Sequence, residues 1–142
     1  MHIRAQVIHH DGAHESEVST EGRTRAVAIP AKEGGPGAGV NGGELLFLAL
    51  ATCYCNDVYR EAAAAGIRVE RVEVEVEGRF AGVGDPATSV RYRAHVTAAG
   101  STEEEVRRLM QHVDRVAEVH NTLRVGTPVE LADVEVTLLD AP

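Results

Sequence analysis

The sequence predicts an α+β domain, and three observations carry that reading. The run from Leu45 to Cys55 is almost wholly apolar and suits a buried helix. Val72, Val74 and Val76 alternate with Glu73, Glu75 and Glu77, the pattern of a strand with one dry and one wet face. A second helix is marked by capping-box spacing, Ser101 with Glu104 or Thr102 with Glu105. The expected order is strands, helix, hairpin, helix, strand, in a single domain spanning 1–142.

Short strands open the chain. Ile3, Ala5 and Val7 alternate with Arg4 and Gln6, and the polar turn His10-Asp11-Gly12-Ala13 leads to a second, weaker strand through Val18. A third candidate, Arg25 to Ile29, is stopped by Pro30. Lys32 to Gly43 holds six glycines and a proline and reads as a loop where two segments cross tightly. No Gly-Lys-Ser/Thr follows it, so a phosphate cradle is disfavoured.

The first helix is predicted over Gly42–Ala65, with Gly66 as its stop. Its second half turns polar at Asn56, Asp57, Arg60 and Glu61. Ile67 and Val69 differ in parity from Val72, so the next strand starts near Arg71 or is bulged there. After Gly82-Val-Gly-Asp-Pro86 it pairs with a strand through Val90, Tyr92, Ala94 and Val96. Val106, Leu109, Met110, Val113 and Ala117 form the stripe of the second helix, and Val134, Val136 and Leu138 suggest a closing strand.

A net charge of -8, no tryptophan and few aromatic residues argue against nucleic acid. The apolar run is too short for a membrane span, and no targeting signal is visible, so a cytoplasmic location is expected. Two cysteines two residues apart make no secreted disulfide framework.

Those two thiols carry the functional question. Cys53 lies about three turns into its helix, beyond reach of the N-terminal dipole. Asp57, one turn away, would raise its pKa when ionised, as would burial. A thiolate there needs a cation from elsewhere, with Arg60, His9, His10 and His120 as candidates. Cys55 projects about 200° from Cys53 around a helix, so the pair cannot close a disulfide without local opening. Either thiol has an inert alternative as apolar filling. No metal site is expected: His9 and His10 point to opposite faces of a strand, and Cys-x-Cys in a helix chelates poorly.

The string Glu44-Leu-Leu…Ala51-Thr52-Cys53, the glycine-rich loop before it, Glu73-Val-Glu-Val-Glu77 and Val119-His-Asn-Thr-Leu123 together resemble the OsmC/Ohr family of thiol-dependent hydroperoxide reductases. The order of these elements matches from about Arg25 to Leu139. The resemblance implies antiparallel sheets around two long helices and an intertwined homodimer with active sites at the subunit interface. It also implies that Cys53 is the peroxidatic cysteine, acting on an organic hydroperoxide without a cofactor. The chain departs from the family at three places. Ala117 stands where the resolving cysteine is usual, so an external thiol reductant, or a cysteine of the other subunit, would recycle Cys53. Gly43 stands where the catalytic glutamate is usual, with Glu44 one step nearer the thiol and rotated about 100° on a helix. The activating arginine of the first hairpin is replaced by His9-His10-Asp11, with Arg23 and Arg25 later.

The expected site is therefore Cys53 with Glu44, surrounded by Cys55, His9, His10, Arg25, Tyr59 and His120 as binding residues. Glu44 has an alternative as a first-turn acid favoured by the helix dipole, and His120 as a structural histidine. Tyr59 is expected in core or interface. The competing function is an OsmC-fold protein without turnover, which binds a small hydrophobic ligand or senses thiol state.

Overall fold

The structure, a computed structural model, describes residues 1–139. It contains β1 (Ile3–His10), β2 (Ala13–Thr20), β3 (Arg23–Ala26), α1 (Gly42–Ala65), β4 (Arg68–Phe80), β5 (Ala87–Ala99), α2 (Glu103–Val116) and α3 (Glu118–Arg124). The strands form a three-stranded sheet, β1-β2-β3, and the two-stranded β4-β5. The chain divides into two compact units. One holds residues 1–52 and 75–93, the other 53–74 and 94 onward.

In the first unit, the sheet is built by two tight turns. Asp11-Gly12 and Glu21-Gly22 both take positive φ, at 49° and 76° and at 48° and 79°. Two consecutive residues of that hand match the twist of flanking strands, so Ala5 pairs Val18 and Val18 pairs Arg25 in antiparallel register. The Glu21-Gly22 turn moves the third strand ahead of its expected place. It covers Arg23–Ala26 and not Arg25 to Ile29, because two-residue turns leave no slack between strands. The backbone of Val27 adds one rung, donating to Ser16 O at 3.0 Å while Ser16 Oγ donates to Val27 O at 2.6 Å. The glycine-rich loop closes on itself through the Ala31–Ala38 bridge. Gly39 passes there so tightly that a Cβ would stand 3.3 Å from the Ala31 and Pro30 carbonyl oxygens.

Helix α1 has the bounds that its sequence predicts. Asn41 and Glu44 cap its start reciprocally: Glu44 N–H donates to Asn41 Oδ1 at 2.9 Å, and Asn41 N–H donates to Glu44 Oε2 at 2.8 Å. Gly66, at φ 70°, ends it, and Ile67 N–H returns to Ala62 O at 2.9 Å in a Schellman turn.

The Val/Glu alternation of β4 is real, with Val72, Val74 and Val76 half-buried and the glutamates exposed. Val69 is half-buried as well, three residues from Val72, so the parity breaks near Arg71 inside one continuous strand. Gly78 ends the alternation. A Cβ there would lie 2.5 Å from the Phe47 ring and 2.7 Å from Ser89 O. Phe47 occupies the space and stacks on Phe80 at 5.9 Å between centroids.

In the second unit, Tyr54, Val58 and Ala62 repeat every four residues along α1 and are buried, as are Leu109, Val113 and Ala117 of α2 and its end. The Tyr54 hydroxyl ties the helices by donating to Met110 O at 2.8 Å. Thr102 starts α2 with a complete capping box to Glu105, which decides between the two spacings the sequence offered. The α-helical path breaks at Ala117, whose φ −66° and ψ 106° are extended, and α3 begins at once. This third helix has no counterpart in the sequence reading. The expected closing strand is absent: residues 127–139 have no regular structure. Val134, Val136 and Leu138 are exposed, and alternation alone cannot make a strand without a neighbour to bond.

Candidate functional site

Cys53 is half-buried, and Asp57, Glu118 and Arg60 converge around it within the second unit, with Glu61 and His112 behind them. Its Sγ donates to Asp57 Oδ2 at 3.6 Å, one helical turn along α1. It also lies 3.9 Å from Glu118 Oε2, which the break at Ala117 presents at the start of α3. The other oxygen of each carboxylate faces one guanidinium nitrogen: Arg60 Nη1 is 2.6 Å from Asp57 Oδ1 and 3.7 Å from Glu118 Oε1. Arg60 Nε in turn donates to Glu61 Oε1 at 2.9 Å, and the second oxygen of Glu61 meets His112 Nε2 at 2.9 Å.

The electrostatics favour the protonated form of this sulfur. Burial pushes the Cys53 thiol above its ordinary value, and the Asp57 and Glu118 charges push it further. The Val119 backbone N–H, bonded to the sulfur, pulls the other way. Asp57, almost fully buried, is itself raised, by burial first and by Glu118 second, with Arg60 opposing. Arg60 and then His112 hold the Glu61 carboxyl below its usual range. The arrangement suits a thiol that surrenders its proton to an adjacent carboxylate when an electrophile arrives.

Cys53, Asp57 and Glu118 also each offer a ligand atom within 4.8 Å of one another. That set could accept a divalent cation only by displacing the guanidinium that already neutralises it. Nothing in the sequence alone joins Glu118, 65 positions on, to Cys53 and Asp57.

The pattern that defines the OsmC-like protein family matches residues 35–132, well over half of the chain and the segment that contains the whole cluster. The chain belongs to the OsmC-like family. No curated protein matches it. Among solved structures it is similar to an OsmC-like protein from Mycoplasma pneumoniae, with 15% identity, a TM-score of 0.65, and coverage of 87% of this chain and 88% of that one. It is also similar to an organic hydroperoxide resistance protein from Legionella pneumophila, at 21% identity and TM-score 0.54, covering 87% and 90%. A third such structure is an organic hydroperoxide resistance protein from Elizabethkingia anophelis, at 19% identity and TM-score 0.53, covering 87% and 89%. At these identities the structures establish the α+β OsmC-like fold.

In this OsmC-like chain, the expected site residues fall into two groups. Arg60 is the cation candidate that stands in the Cys53 cluster. His120 is buried in the same unit, its ring 6.0 Å from that of Tyr54, and burial followed by Arg124 lowers its pKa, which favours the neutral imidazole. Tyr54, itself buried, is pushed up to about 12. Tyr59 is exposed, not in the core of its own chain, because it lies one step off the Tyr54–Val58–Ala62 stripe. Cys55 is half-buried and free.

The other expected residues belong to the first unit. Glu44 serves the α1 cap with both its backbone N–H and its carboxylate. His9 accepts from Gly37 N–H at 3.3 Å and stands against His14, with ring centroids 5.9 Å apart. His10 faces outward and pairs with Glu15 at 3.2 Å, as opposite projection from His9 requires. Arg25 lies exposed on β3 opposite Val18. Glu118 and the Val119 N–H are contributors the sequence reading missed. They sit 65 and 66 positions from Cys53, and neither glycine nor proline marks the helix break that brings them in.

No described helix is long and apolar enough to cross a membrane.

Proposed function

We propose that this chain is a thiol-dependent hydroperoxide reductase in which Cys53 reacts and an external thiol restores it. The observation that carries the reading is the S–H bond from Cys53 to the buried Asp57 carboxylate, whose other oxygen is held by Arg60. The family membership and the hydroperoxide-resistance names of two similar structures support it.

In the first step the thiol proton passes to Asp57 and the sulfur attacks the terminal peroxide oxygen. The O–O bond breaks, the alkoxide recovers the proton from Asp57 as an alcohol, and Cys53 is left as sulfenic acid. A small thiol then displaces water to give a mixed disulfide, and a second thiol releases Cys53 and leaves as the disulfide. The leucines and alanines that precede Cys53 in α1 favour organic hydroperoxides over hydrogen peroxide. Position 117 is alanine, so no resolving thiol competes from that site.

Assembly as a homodimer belongs to this proposal. Leu48, Val129, Leu131 and Val136 are at least 60% exposed, more apolar surface than a lone chain covers. A light-scattering mass of one chain at micromolar concentration would reject it.

The decisive experiment mixes the protein with cumene hydroperoxide and traps sulfenic acid with dimedone. Labelling confined to Cys53, absent in Cys53→Ser, and faster as pH rises beyond the ordinary thiol range is expected. No label under several-fold peroxide excess would reject catalysis.

A second reading, binding of a small hydrophobic ligand, has its own observation. The first unit holds a cavity of about 570 Å³ lined by Ile8, Val27, Ala28, Ile29 and Pro30 among others. It gains ground only if dimedone fails and an apolar fluorophore binds with a stoichiometry that Val27→Trp abolishes.

A further inference from the structure

The contacts around Cys53 continue outward beyond the groups that touch the sulfur, and that continuation has a use. Arg60 is half-exposed, with side-chain exposure of 51%, and it carries a long side chain with many rotamers. A bond to one carboxylate would not keep such a group in place, since an exposed ion pair gains little against side-chain entropy and solvent. Its guanidinium is instead held from two directions. Nη1 spans Asp57 and Glu118, while Nε is fixed by Glu61 at 2.9 Å. Glu61 is itself only 23% exposed, and its remaining oxygen is taken by His112 Nε2 at 2.9 Å. His112 projects from α2 and Glu61 from α1, so the anchor is tied to two helices of the same unit.

We infer that Glu61 and His112 are positioning residues that hold the Arg60 guanidinium on the two carboxylates flanking the Cys53 sulfur, and so set the reactivity of that thiol. Neither touches the reacting atom. The regulation inferred rests on the reading that Cys53 is the reacting thiol, but it is measured without any peroxide. Alkylation of Cys53 by iodoacetamide reports thiolate fraction directly, so a failed peroxidase assay and a failed positioning effect are separate results.

The sign of one substitution separates positioning from plain charge. Glu61→Gln removes a negative charge near the cluster. If charge alone mattered, the thiol would ionise more readily and alkylate faster at pH 7. If Glu61 holds Arg60, its loss frees the cation and alkylation slows, as it does in Arg60→Gln, by about fivefold. In the Arg60→Gln background, Glu61→Gln should then add no slowing, because there is nothing left to hold. His112→Ala should slow alkylation less than Glu61→Gln, and His112→Gln, which keeps an N–H donor for Glu61, should restore the rate.

Cys55→Ser serves as the background for every variant, so that one thiol is read, and unchanged helical circular dichroism confirms the fold in each. Faster alkylation in Glu61→Gln, or equal slowing in the presence and absence of Arg60, overturns the inference. The same shift of the pH–alkylation curve in His112→Ala and His112→Gln would remove His112 from it.

Discussion

Helix α1 is apolar in its first half and mixed in its second, yet the second half is the better buried. From Gly42 to Thr52 nearly every side chain is hydrophobic, and still Leu48 is 60% exposed while Leu50 is buried. From Cys53 to Ala65 the chain carries an aspartate, an arginine and a glutamate, yet Asp57 is only 3% exposed and Val58 is fully buried. The difference teaches that apolar content marks what must be covered, whereas partners mark what is covered. Tyr54 finds α2 through Met110, and Asp57 finds Arg60. Leu48 finds nothing of equal extent in its own chain, which is why a second copy enters the proposal.

The largest expected effect lies in the second half. Cys53→Ser should abolish peroxide-dependent dimedone labelling, while Cys55→Ser leaves it intact; equal loss in both would erase the distinction between the two thiols. Next comes Val58→Ala, which removes fully buried hydrocarbon and should cost about 2 kcal/mol in urea unfolding, whereas Leu48→Ala should cost well under half of that. Similar losses at both would show that the halves are equally packed.

His120 sharpens the contrast through pH. Burial lowers its pKa from the ordinary 6.5, so the folded state binds a proton less readily than the unfolded chain. The stability this provides is present above the ordinary imidazole range and is lost as pH falls through the depressed value. Urea midpoints at pH 7 and pH 5 should therefore differ more for the native chain than for His120→Gln. An unchanged difference would mean that the imidazole is not kept neutral by its surroundings.

The smallest effect concerns Glu44. As a cap, Glu44→Ala should cost about 0.5 kcal/mol of stability and leave the rate of Cys53 labelling alone. A tenfold loss of labelling would return Glu44 to a catalytic role.

Much of the architecture could be read from local chemistry. Gly66 and the Asn41–Glu44 pair delimit α1, and Thr102 with Glu105 starts α2, because caps act over three or four residues. Asp57 and Arg60 were legible as neighbours of Cys53 for the same reason, since helical spacing alone places them within reach. Glu118 and the Val119 N–H were not. They arrive through a bend at a buried alanine that carries no turn signal, and only tertiary packing sets it. Val134, Val136 and Leu138 show the converse error. Their alternation is as clean as that of Val72, Val74 and Val76, but β4 has β5 to bond, and among the described residues no strand lies beside 127–139.

Gly78 bears on how this protein can change over generations. It counts as a surface position, and a tally of exposure would rate it free to vary. Yet the smallest addition, a single methyl group, meets both an aromatic ring and a main-chain oxygen of the adjoining strand. A smaller residue at position 47 would remove only the ring, and the Ser89 oxygen belongs to the backbone, so drift at Gly78 is closed to all nineteen alternatives unless the paired strands themselves shift.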